Sequence, residues 1–301
     1  MGGEIIIFIN IMKIIDGKKI ATEVKNEIAK KVQERMKAGQ RVPHLAAIIV
    51  GDDGASKTYI GSIERSCHEV GFTSSIYQYS ATITEKELLD SIDFLNRDDE
   101  VDGYIIQLPL PKHINKENVI AHVDPNKDVD CFHPINSGKL FLGEACFLPA
   151  TPYGTIELMR RSGISAAGKH CVVLGRSNIV GKPLAMLLAE KSDTGNATVT
   201  ICHSRTPNLK EVCATADILL VAIGQPEMIT ADYVKQGATV IDIGIHRIPD
   251  SSEKGYRICG DVKYDEVAPK CAAITPVPGG VGPMTMTCLM LNTLHACENK
   301  D

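Results

Sequence analysis

No two of the ten cysteines stand in a C-x-x-C pair, so neither a zinc ribbon nor a thioredoxin-type redox site has support from spacing. No metal site is expected, and reduced, mostly buried cytoplasmic thiols are the default reading. The chain also lacks an apolar run long enough to span a bilayer. Its apolar start, Ile5 to Ile11, follows Glu4 rather than a basic stretch and is too short for a transmembrane helix. Ile6 stands where myristoylation would require Ser or Thr. An upstream start codon or an added extension, with Met12 as the natural beginning, accounts for residues 1–11 better than targeting does. Long blocks of like charge are missing too, and the formal net charge is only -5. That balance argues against nucleic acid or a membrane surface as the main partner and leaves a small molecule. No internal repeat or low-complexity segment is present.

What is there is ample for two packed cores: 301 residues, 44% of them hydrophobic. Ile20, Val24, Ile28 and Val32 recur every fourth residue and predict an amphipathic helix ending near Gly39. A strand is expected at Leu45 to Val50, a helix from Ser56 to Val70, and a strand near Ser75 to Tyr79. A helix opened by the capping-box pattern Thr84-x-x-Glu87 follows, then a buried strand from Tyr104 to Leu108. The rhythm restarts after Thr151-Pro152 with a helix, the strand His170 to Leu174, and a helix from about Ile179 to Lys191. Further strands are expected at Thr198 to Cys202, Asp217 to Ala222 and Thr239 to Ile243, and residues 244–260 read as an excursion. This alternation predicts an α/β fold with parallel sheets covered on both faces, the second unit being of Rossmann, nucleotide-binding type.

Gly175-Arg176-Ser177-Asn178-Ile179-Val180-Gly181 joins an apolar strand to a helix, where amides and the helix dipole favour a phosphate. Ser177 replaces the second glycine of the usual dinucleotide pattern. The next strand ends Cys202-His203-Ser204-Arg205-Thr206, without the acid that would bind an NAD ribose. Arg176, Ser204 and Arg205 offer cations and a hydroxyl to a 2′-phosphate instead, so NADP is the favoured cofactor.

Residues 275–285 read Thr-Pro-Val-Pro-Gly-Gly-Val-Gly-Pro-Met-Thr, a rigid loop that opens a helix and can hold its backbone against a flat ligand. Together with Gly51 to Gly71, Ile106 to Pro111, Lys127 to Asp130, Gly175 to Pro183 and Gly260 to Asp265, in that order, this loop resembles the signature of the methylenetetrahydrofolate dehydrogenase/cyclohydrolase family. The resemblance extends over nearly the whole chain from Lys13 onward. It implies a catalytic folate-binding domain over 12–150 plus 283–301, whose last helix packs back on it, and an NADP domain over 151–282. A cytoplasmic homodimer joined through the nucleotide domains, acting on tetrahydrofolate derivatives, is also implied.

By the same resemblance Tyr59 stacks on the pterin with Pro278, Gly279 and Gly280 on the other side. Asp130 pairs with the pterin amide and amino group, and Gln107 partners a catalytic lysine. Arg176 and Ser204 match the phosphate-binding positions, Gly175, Ser177, Gly224 and Ile245 line the cofactor, and Thr151 lies near the nicotinamide. That lysine belongs four residues after Tyr59, on the same helix face, and Ile63 stands there. Glu64 and Arg65 are turned away by roughly 100° and 200°. Hydride transfer demands alignment more than proton transfer, whereas hydrolysis of the methenyl product must move protons. The dehydrogenase reaction is therefore expected, with cyclohydrolase activity weak or absent. A fully bifunctional enzyme, a shikimate-type dehydrogenase and a catalytically silent nucleotide-binding protein remain alternatives. Glycine is common after the pterin-pairing aspartate, where Cys131 stands here, so that loop is expected to differ slightly.

Overall fold

The computed structural model describes residues 12–51 and 54–300, with the side chains of 54–59 outside the described set. The expectations for residues 1–11 and for the Tyr59 side chain therefore lie outside the described residues. The first half of the chain runs β1 (Lys13–Ile14), α1 (Gly17–Lys37), β2 (His44–Val50), α2 (Gly54–Val70), β3 (Thr73–Tyr79), α3 (Glu85–Arg97), β4 (Gly103–Ile106), α4 (Lys116–His122) and α5 (Pro134–Leu142). The second half begins with α6 (Ala150–Arg161), β5 (His170–Leu174), α7 (Gly181–Ala189), β6 (Thr198–Cys202), α8 (Leu209–Cys213), β7 (Ile218–Val221) and β8 (Thr239–Asp242). It ends with β9 (His246–Pro249), β10 (Tyr256–Cys259), α9 (Tyr264–Val267), β11 (Ala273–Ile274) and α10 (Val281–Glu298).

Two parallel sheets organise these elements. The smaller has the order β3-β2-β4. Its central strand buries five consecutive residues, Leu45 to Ile49, as a strand covered on both faces must. Helix α1 buries Ile20, Val24, Ile28 and Val32, the four-residue spacing read from the sequence. Thr84 and Glu87 complete both halves of the capping box that starts α3.

The larger sheet has the order β1-β11-β8-β7-β5-β6, all parallel. Strand order reverses between β5 and β7, and in open α/β sheets ligands bind outside the carboxyl ends of strands at such a switch point. The excursion at 244–260 is an antiparallel hairpin of β9 and β10. Strand β1 comes from the start of the chain yet pairs with β11, Lys13 opposite Ala273. Helix α10 packs against α6 and α1, and one apolar core runs from Ile28 through Met290 and Leu294 to Leu184 and Ile241. Among the described residues, no helix is long and apolar enough to cross a membrane.

Candidate active site

A cleft of about 550 Å³ opens between the two sheets. Asp130 and Thr151 line it together with Ile245 and the loop from Pro276 through Pro283. A second cavity of about 240 Å³ adjoins it and shares Asp130, Ala150, Thr151 and Thr285. Gln107 lines that second cavity, after the last residue of β4. Asp130, Gln107, Thr151, Ile245, Pro278, Gly279 and Gly280 thus gather around one connected space.

Hydrogen bonds fix three of these positions. The amide of Lys18, in the first turn of α1, donates to the Gly279 carbonyl over 3.1 Å, fixing the Pro-Gly loop to that helix. The hydroxyls of Thr151 and Thr285 lie 3.1 Å apart and join the starts of α6 and α10. Gln107 donates its side-chain amide to the Leu108 carbonyl over 3.1 Å. Lys18, Ser62, Asp242 and Thr285 also line the main cleft, and the sequence assigned none of them a role. Lys18 and the loop it meets are separated by more than 250 positions, and no local pattern reveals such a pairing.

The carboxylate of Asp130 accepts no hydrogen bond from any described residue, and burial, aided by the nearby charge of Asp128, pushes its pKa up to about 7. Asp128 is spent on structure: it accepts from the amides of Phe132 and His133 and from the Asn136 side chain over 3.1, 2.9 and 2.8 Å. Between them and α5, Cys131 adopts φ 58, the left-handed region that favours glycine. The Asp130 acceptor is left facing the cleft, suited to a ligand edge that carries two N–H donors.

Ile63 is in a different place. Its side chain is fully buried and belongs to the core with Cys67 and Ile105, while the preceding residue, Ser62, faces the cleft.

The remaining expected positions cluster at the carboxyl ends of β5, β6 and β7. Pairing of Leu174 with Cys202 sets Arg176 and Ser204 two residues beyond the ends of neighbouring strands. Both are exposed, and no described residue forms an ion pair with Arg176. Gly175 takes φ 130, and a side chain there would meet the Ala222 carbonyl oxygen at 2.2 Å, so only glycine lets β5 and β7 close at the switch point. The amides of 176–179 donate to no described group, whereas those of Val180 and Gly181 are taken by the Ser177 hydroxyl. The amides open to an anion are therefore those of the exposed turn 176–179 rather than the first amides of α7, which the Ser177 hydroxyl already occupies. Four free amides beside Arg176 fit a dinucleotide's phosphates.

Two family models match the chain. The catalytic domain of tetrahydrofolate dehydrogenase/cyclohydrolase matches residues 15–130, and its NAD(P)-binding domain matches residues 149–301. The bifunctional protein FolD of Porphyromonas gingivalis is 60% identical over 287 residues, 95% of this chain and 97% of that protein. Among solved structures, the bifunctional FolD dehydrogenase/cyclohydrolase of Campylobacter jejuni superposes with a TM-score of 0.91 at 43% identity, covering 97% of this chain and all (100%) of the other. The Trypanosoma brucei enzyme, solved with NADP cofactor and inhibitor, gives 0.89 at 36% identity, covering 96% and 98%. With both domains matched in order around one connected cleft, the chain belongs to the tetrahydrofolate dehydrogenase/cyclohydrolase family.

Proposed function

We propose that the protein oxidises 5,10-methylenetetrahydrofolate to the 5,10-methenyl form with NADP, and that its hydrolysis of the methenyl product is weak or absent. When bound, the nicotinamide accepts the hydride of the methylene carbon. The protein's share of that step is placement: Asp130 accepts from the pterin amide and amino group, and Pro278 to Gly280 cover one face of the ring. Tyr59 is assigned the other face, and Thr151 the nicotinamide side of the junction. Arg176 and Ser204 read the 2′-phosphate, with Gly175, Ser177, Gly224 and Ile245 along the dinucleotide. The NADP-bound Trypanosoma brucei relative supports that choice of cofactor.

The observation that carries the limited activity is Ile63. Hydrolysis of the methenyl cation adds water and opens a ring, so a group in the cleft must move protons. An alkyl side chain packed in the core moves none. Gln107 is retained but has lost the amine it is assigned to orient. The test is a paired assay of both half-reactions with NADP and NAD: NADPH should form and the methenyl absorbance should persist. Hydrolysis of added methenyltetrahydrofolate well above the uncatalysed rate would overturn the monofunctional reading.

Full bifunctionality is a second reading, and Lys18 favours it, being the cation among the described residues that line the main cleft. If Lys18 supplies the proton transfer, Lys18→Met abolishes hydrolysis while dehydrogenation continues. The exposed edge strand β6 supports a homodimer joined at the nucleotide domain. Ten free cysteines, nine of them buried, support residence in the reducing cytoplasm.

A further inference from the structure

The carboxylate of Asp261 is fully buried at the end of the hairpin, outside every role assigned above. It accepts four hydrogen bonds. The amides of Ile223 and Gly224 donate to Oδ2 over 2.8 and 3.2 Å, and the Gln225 amide donates to Oδ1 over 2.8 Å. His246 completes the set, with Nε2 at 2.7 Å from Oδ1. A carboxylate has about four lone-pair sites, and all are taken.

These donors come from two separate turns. One follows β7 and carries Gly224; the other follows β8 and carries Ile245, next to His246. Ile245 is 64% exposed on the cleft wall. Asp242 holds the clamp from behind, accepting from the amides of Gly244, Asp261 and Val262 over 3.0, 3.0 and 2.9 Å. The approach is so close that a side chain at position 260 would lie 1.9 Å from Asp242 Oδ2.

We propose that Asp261 is a positioning residue for the nicotinamide nucleotide, fixing the 223–225 and 244–246 turns to each other as one wall of the cofactor site. This rests on the reading above, in which Gly224 and Ile245 line the cofactor. Asp261 touches neither cofactor nor folate; it acts through the two turns. Among the described residues its carboxylate bonds neither the Asp130 loop nor the Pro-Gly loop, which it reaches only indirectly through Asp242 and Thr275, so its loss is felt first in nucleotide binding.

Asp261→Asn tests this with little change in volume. Turned toward Ile223 and Gly224, its NH₂ meets two N–H donors; turned the other way, it meets the Gln225 N–H and can keep only the His246 contact, by donating to the other imidazole tautomer. At least one backbone contact of the clamp is therefore lost. The dissociation constant and KM for NADP should rise about tenfold or more. At saturating NADP, kcat should stay within about twofold, and KM for methylenetetrahydrofolate should be unchanged. His246→Ala removes one contact from a partly exposed side chain and should give a smaller rise of the same kind, which decides the matter if Asp261→Asn does not fold. A folded variant that binds NADP as the wild type does, or one whose two KM values rise together, overturns the proposal. If calorimetry shows that the wild-type protein itself does not bind NADP while it binds a folate analogue, the cofactor reading falls and the proposal with it.

Discussion

Asp128 and Asp130 stand two residues apart on one loop and use their carboxylates in opposite ways. The first accepts three hydrogen bonds from the loop and from Asn136, and the second accepts none from a described residue. The charge of Asp128 adds to the burial that raises Asp130 to about 7 from an ordinary 3.8. A native carboxyl that keeps its proton up to about pH 7 stabilises the folded state at low pH, and that contribution is lost as pH rises through 7.

Ligand binding has the opposite sign. The pterin edge brings N–H donors, which need the ionised acceptor, so affinity for a folate analogue should rise between about pH 6 and about pH 8 while apo stability falls. Asp130→Asn should remove most of the binding slope and weaken affinity at every pH, as read by calorimetry across that range. Asp242, also raised to about 7 by burial, leaves part of the stability slope in the variant. Asp242 lines the same cleft, so a small residual slope is its own, and a binding slope that survives at full size in Asp130→Asn would refute the assignment.

Ile63→Lys should restore hydrolysis of methenyltetrahydrofolate by roughly 10²-fold or more, the usual contribution of a placed acid/base group. It has a cost, because Ile63 is fully buried and an ammonium there must reach toward Ser62 and the cleft. A loss of about 1–3 kcal/mol in stability is expected. Ile63→Met keeps the core apolar and should leave hydrolysis unchanged. The decay of methenyl absorbance, read beside thermal unfolding of both variants, checks the pair. No gain in a folded Ile63→Lys enzyme would place the deficit elsewhere in the site.

The capping box offers a stability test away from the cleft. Thr84 Oγ1 accepts from the Glu87 amide over 3.2 Å, and Glu87 Oε2 accepts from the Thr84 amide over 2.9 Å. Thr84→Ala should cost about 1 kcal/mol in denaturant unfolding and leave both kinetic constants alone. The Thr84→Ala and Glu87→Ala losses should not add, since each variant breaks the same reciprocal contact.

That box was legible because it is local, as were β5 and β6, whose bounds agree residue for residue with the apolar runs His170 to Leu174 and Thr198 to Cys202. Strand β1 was not legible. Both its residues are exposed, so no burial pattern marks it, and its pairing depends on β11 at the far end of the chain. Helices α4 and α5 are only seven and nine residues long, and α5 starts on a proline, a turn signal as readily as a helix N-terminus. In the site, the composition of the Pro-Gly loop pointed to a wall for a flat ligand, whereas Asp130 and Gln107 were placed there by the family resemblance. Lys18 and Asp261 act through tertiary contacts that a linear pattern does not encode.

In the proposed reading the choice between nicotinamide nucleotides turns on Arg176 and Ser204, each two residues beyond the paired strand ends Leu174 and Cys202. NAD lacks the 2′-phosphate, so a residue that reads only this group should not affect it. Removing one charge-assisted hydrogen bond of about 1.5–3 kcal/mol, by Arg176→Met, should raise KM for NADP by roughly 10- to 150-fold and change that for NAD little. Ser204→Ala removes a neutral donor and should raise KM for NADP only several-fold, by about 0.5–1.5 kcal/mol. Ser204→Asp adds an acceptor for the ribose hydroxyls and a charge that repels phosphate, so preference should move toward NAD. The measurement is the ratio of kcat/KM for the two nucleotides in each variant. Equal losses for both would show that these side chains support the turn at 176–179 instead, and the 2′-phosphate would have to be read by Arg205 or by backbone alone.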